Sequence, residues 1–223
     1  MYDLIEQYMY VHFCQCIREW QVKAERRERR KREIMEVAYT LLSTSGFKAT
    51  SMLSIAKQAG TSNGTLYAWF GSKEGLFAAM VEENASGAAQ LLRASLQDDA
   101  DLGVTLERFG HVLLRMVTGE KAILINRAAA EDAAKTGLIG KALAHAGRDA
   151  IVSLLTAILE KGRENGVLAF DDVGVVTETY IGLLIGDLQI RRAIGAISEP
   201  DDAAIVLRAE RAKKYLLALF GTK

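Results

Sequence analysis

Three groups of residues in this 223-residue chain have the types and spacing to do chemistry. The first is His12-Phe-Cys-Gln-Cys16, three soft metal ligands in five residues. A tetrahedral site needs a fourth ligand and no second cluster follows, so no metal is expected. The second is "KAERRERRKRE", Lys23 to Glu33, with seven basic and three acidic residues. It reads either as a solvated helix laced with i,i+4 pairs, such as Glu25–Arg29 and Glu28–Arg32, or as a basic arm leading into a nucleic-acid-binding unit. The third is "TSNGTLYAWFGSKEG", Thr61 to Gly75, which packs three aromatics into four residues between glycines. Gly64 is poor for helix propensity and an exposed Tyr67 or Trp69 is poor for solubility, so this stretch expects a partner other than water. Nothing in the chain resembles a phosphate loop or a nucleophile elbow, and there are only three histidines, so neither catalysis nor a cofactor is expected.

The elements that must carry these groups are helical. A single proline, abundant Ala, Leu, Glu, Lys and Arg, and few β-branched runs point to an all-α fold of about nine helices. Ile34, Val37, Ala38, Leu41 and Leu42 share a helical stripe that stops at Ser45-Gly46. Ser51 caps a short helix that turns Met52, Ile55, Ala56 and Ala59 inward, and Gly60 ends it. Ser62 caps another, Asn63 to Phe70, anchored by Leu66 and Phe70, which completes a helix-turn-helix pattern. Ser72 caps a longer helix from Lys73 to about Leu96. Amphipathic helices are then expected from Leu102 to Val117, Glu120 to Lys135, near Leu138, Gly147 to Glu164 and Val173 to Ile197. A last one follows Ser198 or Glu199, with Pro200 in its first turn, and runs to Phe220.

Composition bounds the rest. Half the residues are hydrophobic and a quarter charged, as in an ordinary soluble globular protein. The net charge of zero hides an asymmetry: eleven basic and five acidic residues lie between Arg18 and Lys73, against seventeen and twenty-one from Glu74 onward. A basic first third suggests a polyanion-binding head. Two cysteines two positions apart fit a reducing, cytoplasmic compartment. Apolar runs such as Tyr180 to Gly186 meet a charge within two turns, and the start lacks a basic n-region, so neither a membrane span nor a signal peptide is expected.

The residues from Ile34 to Phe77, and above all "GFKATSMLSIAKQAGTSNGTLYAWFGSKEGLF", resemble the DNA-binding domain of TetR-family (tetracycline-repressor-like) transcriptional regulators. The Thr/Ser pair, Ile-Ala, Ala-Gly, Gly-Thr-Leu-Tyr, the aromatic-Phe pair and Ser-Lys-Glu-x-Leu all fall in place. Thr61 in the turn and the small Ala68 depart from the usual pattern. The resemblance implies that the helix Asn63 to Phe70 enters the major groove of a double-stranded, palindromic operator. It assigns Tyr67 and Lys73 to phosphates, and Ser62, Asn63, Gly64, Thr65 and Trp69 to the groove, with Thr50 and Ser51 as further phosphate contacts. The chemistry agrees: glycine permits close backbone approach, Thr65 offers a hydroxyl and a methyl to base edges, and a lysine in a first helical turn opposes the dipole unless an anion meets it. Trp69 could serve the core or the groove.

The second half is similar, more loosely, to regulators with an AefR-like C-terminal domain. That implies a small-molecule effector and a homodimer, in a layout of an unassigned extension (1–22), a DNA-binding domain (23–80) and an effector-binding and dimerisation domain (81–223). Effector-contact candidates are His111, Arg115, Met116, Arg127 and Tyr180, each of which could equally be an ordinary core or surface group. Gly182 and Gly186, one turn apart, could admit a partner helix or serve packing within the chain. The implied function is a ligand-released homodimeric repressor; the alternative is an architectural DNA-bound protein of the same fold with no effector.

Overall fold

A computed structural model describes the backbone of residues 2–97 and 101–222, and their side chains except at 2–19, 88, 91, 92, 95–97, 146 and 147. The His12–Cys16 motif and most of the 1–22 extension therefore lie outside the described side chains. Among the described residues the protein is all-helical, with one isolated antiparallel bridge, Leu168 to Gly221. The chain divides into two compact units, residues 1–69 and 70–223.

The first unit holds α1 (Tyr2–Ala49), α2 (Met52–Gln58) and α3 (Asn63–Phe70, whose last residue falls across the boundary). Gly46, at φ +73°, interrupts α1 where the sequence places a helix end. Of the stripe expected on α1, Ile34, Ala38 and Leu42 are buried, with Met35 and Tyr39 beside them, while Val37 and Leu41 are half-buried; α2 buries Met52, Ile55 and Ala56 and leaves Ala59 half-buried, and α3 buries Leu66 while Phe70 is half-buried. Ser51 caps α2 through a capping box with Ser54. At its other end, the Thr61 amide donates to Ala56 O (3.0 Å) and the Gly60 amide to Lys57 O (3.4 Å). That is a Schellman turn, and it needs the left-handed backbone that Gly60 supplies at φ +61°.

The second unit is a bundle of α4 (Lys73–Gln97), α5 (Leu102–Thr118), α6 (Glu120–Asp132), α7 (Leu138–Ala142), α8 (Ala150–Glu164), α9 (Val173–Ile185), α10 (Leu188–Ala193) and α11 (Asp202–Phe220), with a π-helical stretch, Leu143–Asp149, between α7 and α8. Its core joins Leu106, Phe109, Leu113 and Leu114 of α5 to Ile151, Leu155 and Leu159 of α8, Val176, Tyr180 and Leu184 of α9, and Ile205, Ala209 and Leu216 of α11. Helix α5 comes so close to its neighbours at Gly110 that a Cβ there would meet Ala209 Cβ at 2.9 Å. The Phe109 and Tyr180 rings pack with centroids 6.1 Å apart.

Three expectations need correction here. The helix expected from Val173 to Ile197 is two, because the chain leaves helical geometry at Gly186 (φ +50°, ψ −125°). Arg208 of α11 donates to Leu184 O (2.5 Å) and Ile185 O (3.1 Å), satisfying carbonyls that continued helix would have covered. The last helix is capped by Asp201, whose carboxylate accepts from the Ala204 amide (2.8 Å), so Pro200 precedes the cap rather than sitting in the first turn. Finally, the helical run Leu138–Glu164 is long and apolar enough to cross a membrane, where no such run was expected. Ile151, Leu155, Ile158 and Leu159 of this run are buried in the bundle core.

Candidate nucleic-acid interface

Helix α3 turns one face to the interior and another to solvent. Leu66 is fully buried, while Asn63, Gly64, Tyr67 and Ala68 are exposed and adjoin one another round the helix. Tyr67 keeps 49% of its surface exposed. Ser62 caps the helix as expected: its Oγ accepts from the Thr65 amide (3.0 Å) and lies 2.8 Å from Thr65 Oγ1. Thr65 is half-buried with its hydroxyl in that cap. The exposed edge thus offers an amide, a bare stretch of backbone and a phenol within two turns. These are groups suited to base edges, close approach and a phosphate oxygen.

Trp69 lies about 200° round the helix from Tyr67 and is half-buried. The Arg27 guanidinium of α1 covers its ring at 5.6 Å from the centroid. This cation–π contact puts the indole against α1, on a different side from Asn63 and Tyr67. Thr50 also departs from its expected role. It is 1% exposed and its hydroxyl donates to Gly46 O (2.8 Å), so the side chain closes the turn after α1 and cannot reach a phosphate. Ser51 remains exposed at the start of α2, with its hydroxyl in the capping box.

Lys73 opens α4 in the second unit. Burial lowers its ammonium pKa; Glu74 opposes that shift, Lys135 adds to it, and Glu131 and Asp132 oppose it. Asp132 itself is buried. Desolvation alone would raise its carboxyl, but the Thr136 hydroxyl and the amides of Ile139, Thr136 and Leu138 outweigh that and hold it below the usual range.

The second unit also holds a half-open cavity of about 220 Å³. Its walls are aliphatic, from Val81, Leu113, Ile125, Ile151 and Ile181 among others, and its polar lining is Asn84, Asn126, Arg148 and Gln189. Asn126 Nδ2 donates to Ala122 O (2.8 Å) and Gln189 Nε2 to Val117 O (3.3 Å). Of the five effector candidates only Met116 lines this cavity. Arg115 is exposed and pairs with Asp202 (2.8 Å). Arg127 donates to Ala193 O (2.7 Å) and Arg192 O (3.3 Å), closing the end of α10. Tyr180 is buried, donates to Leu106 O (2.6 Å), and has its hydroxyl pKa raised by burial and by Glu107. His111 is half-buried, and its Nε2 has no hydrogen-bond partner. Asn84, Arg148 and Gln189 escaped sequence reading because they sit singly in separate segments and converge only in the bundle. Among the described residues, no group of three or more His, Cys, Asp and Glu could hold a metal ion.

A family model of tetR-family bacterial regulatory proteins matches residues 34–80, and one of the AefR-like transcriptional repressor C-terminal domain matches 104–222, more than half the chain. The chain belongs to the TetR family. This TetR-family protein is 32% identical to a TetR transcriptional regulator from Agrobacterium tumefaciens, over 87% of this chain and 95% of that one, with a TM-score of 0.71. It is similar to the Flavonoid-responsive Regulator FrrA (28% identity, 88% and 99% of the two chains, TM-score 0.67). It is also similar to the uncharacterized HTH-type regulator YvkB of Bacillus subtilis (25% identity, 85% and 94%). The TetR-family protein is therefore a DNA-binding transcriptional repressor and not an enzyme.

Proposed function

We propose that this repressor works as a cytoplasmic homodimer that lays α3 of each copy in the major groove of a palindromic operator and lets go when a small molecule fills the cavity of the second unit. The observation that carries the DNA contact is the exposed Asn63–Gly64–Tyr67 edge, where the protein leaves backbone bare without a packing reason. Ser51, Ser62, Thr65 and Lys73 complete the DNA-facing set, with Tyr67 and Lys73 on phosphates; Thr50 and Trp69 are left out of it. A recognition helix of eight residues reads few bases, so two copies on half-sites about one turn apart are needed for affinity.

Dimerisation finds support in apolar side chains left in solvent on α9 to α11: Val175, Ile190, Ile194, Leu207, Tyr215 and Leu219. Leu183, Leu188, Ala204, Leu207 and Tyr215 line an open groove of about 410 Å³ in this region. A Cβ at Gly182 would meet nothing within 4 Å, which leaves room beside the groove for a partner helix. Gly186 is no longer part of that proposal, since its Cβ would strike Arg208 and its backbone ends α9.

The cavity favours an effector of a definite kind. Aliphatic walls suit a compact apolar body, Arg148 suits a carboxylate or another acceptor, and with no acidic residue in the lining a cation has no counter-charge. Selection of bound sequences from random duplex DNA tests the operator: a palindrome supports the dimer, and a single unrepeated half-site overturns it. Thermal stabilisation by short aliphatic carboxylates, with loss of operator binding at the same concentrations, tests the effector. Stabilisation without DNA release would leave an architectural role.

A further inference from the structure

Four of the seven basic residues of the α1 run form one face. About 100° of helix surface carries Lys23, Arg26, Arg27 and Arg30, whereas Glu25 and Glu28 lie on the opposite side with Arg32, and Glu33 borders the basic face. Two members of the basic face touch the helix-turn-helix: Arg27 covers Trp69 of α3, and Arg30 donates to Ala59 O and Gly60 O in the turn before α3. The face therefore packs on the helix-turn-helix, and through Arg30 it reaches the turn from which α3 presents Asn63 and Gly64. Lys23 and Arg26 continue it by about 10 Å and 6 Å along the axis beyond Arg30. Both are exposed, and neither has an ion-pair partner among the described residues.

Within the run, Glu28 pairs with Lys31 (2.8 Å) and Arg30 with Glu33 (2.6 Å), each three residues apart. Lys23–Arg27 and Arg26–Arg30 are instead like charges one turn apart, an arrangement that destabilises a helix in water. Polyanion binding turns that repulsion into attraction.

We propose that Lys23 and Arg26 form a second DNA-binding element, which holds backbone phosphates flanking the sequence read by α3. The inference rests on the DNA-binding function above. It adds affinity without base preference, because phosphate contacts carry no sequence information.

The test uses the full chain with Lys23→Ala/Arg26→Ala, its fold checked by thermal melting. The probe is the duplex that the intact protein selects from random DNA, extended by one helical turn at each end, beside the same duplex trimmed to the selected bases. The double variant should flatten the dependence of log K on log salt by roughly 3.6 on the extended duplex, about 0.9 for each of the four phosphates that the two copies no longer neutralise. Base preference should stay as it was. Trimming should weaken the intact protein but leave the variant unchanged, and Lys23→Arg/Arg26→Lys should restore the slope. An unchanged slope on the extended duplex overturns the proposal while leaving DNA recognition by α3 standing. Loss of binding to phosphatidylglycerol vesicles with DNA binding intact reassigns the face to membranes and also overturns it. If the intact chain binds no duplex at all, the DNA-binding reading falls first and takes this one with it.

Discussion

A Cβ built at Gly64 would lie 3.7 Å from Ser62 Oγ, an ordinary contact, and the residue is not among the glycines with positive φ. Nothing in the fold asks for glycine there, so Gly64→Ala should raise stability by about 0.5–1 kcal/mol through helix propensity alone. Operator affinity should fall at the same time, by roughly tenfold or more, because the new methyl occupies space the DNA needs. A melting curve and an anisotropy titration on one preparation check both signs, and unchanged affinity would remove Gly64 from the interface. Tyr67→Phe makes the complementary case. In the proposed complex its hydroxyl meets a phosphate, so the variant should weaken selected and scrambled duplexes alike, by about 1 kcal/mol, without altering base preference. Thr50 and Trp69 show why residue type alone did not finish the assignment. Burial and the hydrogen bond to Gly46 O hold one, the Arg27 guanidinium covers the other, and Arg27 stands forty-two positions earlier in the chain.

Among the elements, most ends that local chemistry sets were legible and the ends that distant side chains set were not; the Asp201 cap of α11 is local too, but Ser198 and Glu199 offered rival caps just before it. Ser51, Gly60 and Ser62 mark their helix ends because cap and turn lie within a few residues. Three C-terminal ends in the second unit instead depend on arginines from elsewhere in the chain. Arg208 donates to the last carbonyls of α9, Arg192 to Thr118 O at the end of α5 (3.0 Å), and Arg127 to the end of α10. A cation there also meets the negative end of the helix dipole. This is why Arg127 looked like an effector contact and Val173–Ile197 looked like one helix. Arg208→Ala should accordingly destabilise the protein by about 1.5–3 kcal/mol, read by urea unfolding, since charged donors leave buried carbonyls behind. The α6–α7 junction depends on charge in a different way. The Asp132 carboxyl is lowered in the folded protein, so its contribution is complete above the unfolded carboxyl range, near pH 4, and is lost as pH falls through the lower folded value. Asp132→Asn should therefore lower stability at pH 7 and flatten its decline as the pH falls below about 4, measured as the urea midpoint against pH.

At the scale of the whole molecule, the all-helical plan and the basic head were legible because periodicity and charge are properties of the chain itself, whereas a surface meant for a second copy shows only as apolar area left uncovered on the folded one. The α9–α11 region leaves Leu207 and Tyr215 in solvent beside Arg211, with Leu183 and Leu188 across the groove. Such a patch is costly for a monomer to keep in water and is relieved when two copies meet. Leu207→Glu places a charge in the proposed interface without touching the interior, because Leu207 is exposed while the neighbouring Ile205 and Ala209 are buried. The variant should stay folded and elute as a monomer in size-exclusion chromatography with light scattering. Its affinity for a full palindrome should drop towards that for a single half-site, since the two α3 helices would no longer be joined. A variant that remains dimeric with unaltered operator affinity would move the interface off this groove. A monomer that still binds the palindrome as tightly as the intact protein would show that dimerisation contributes nothing to recognition.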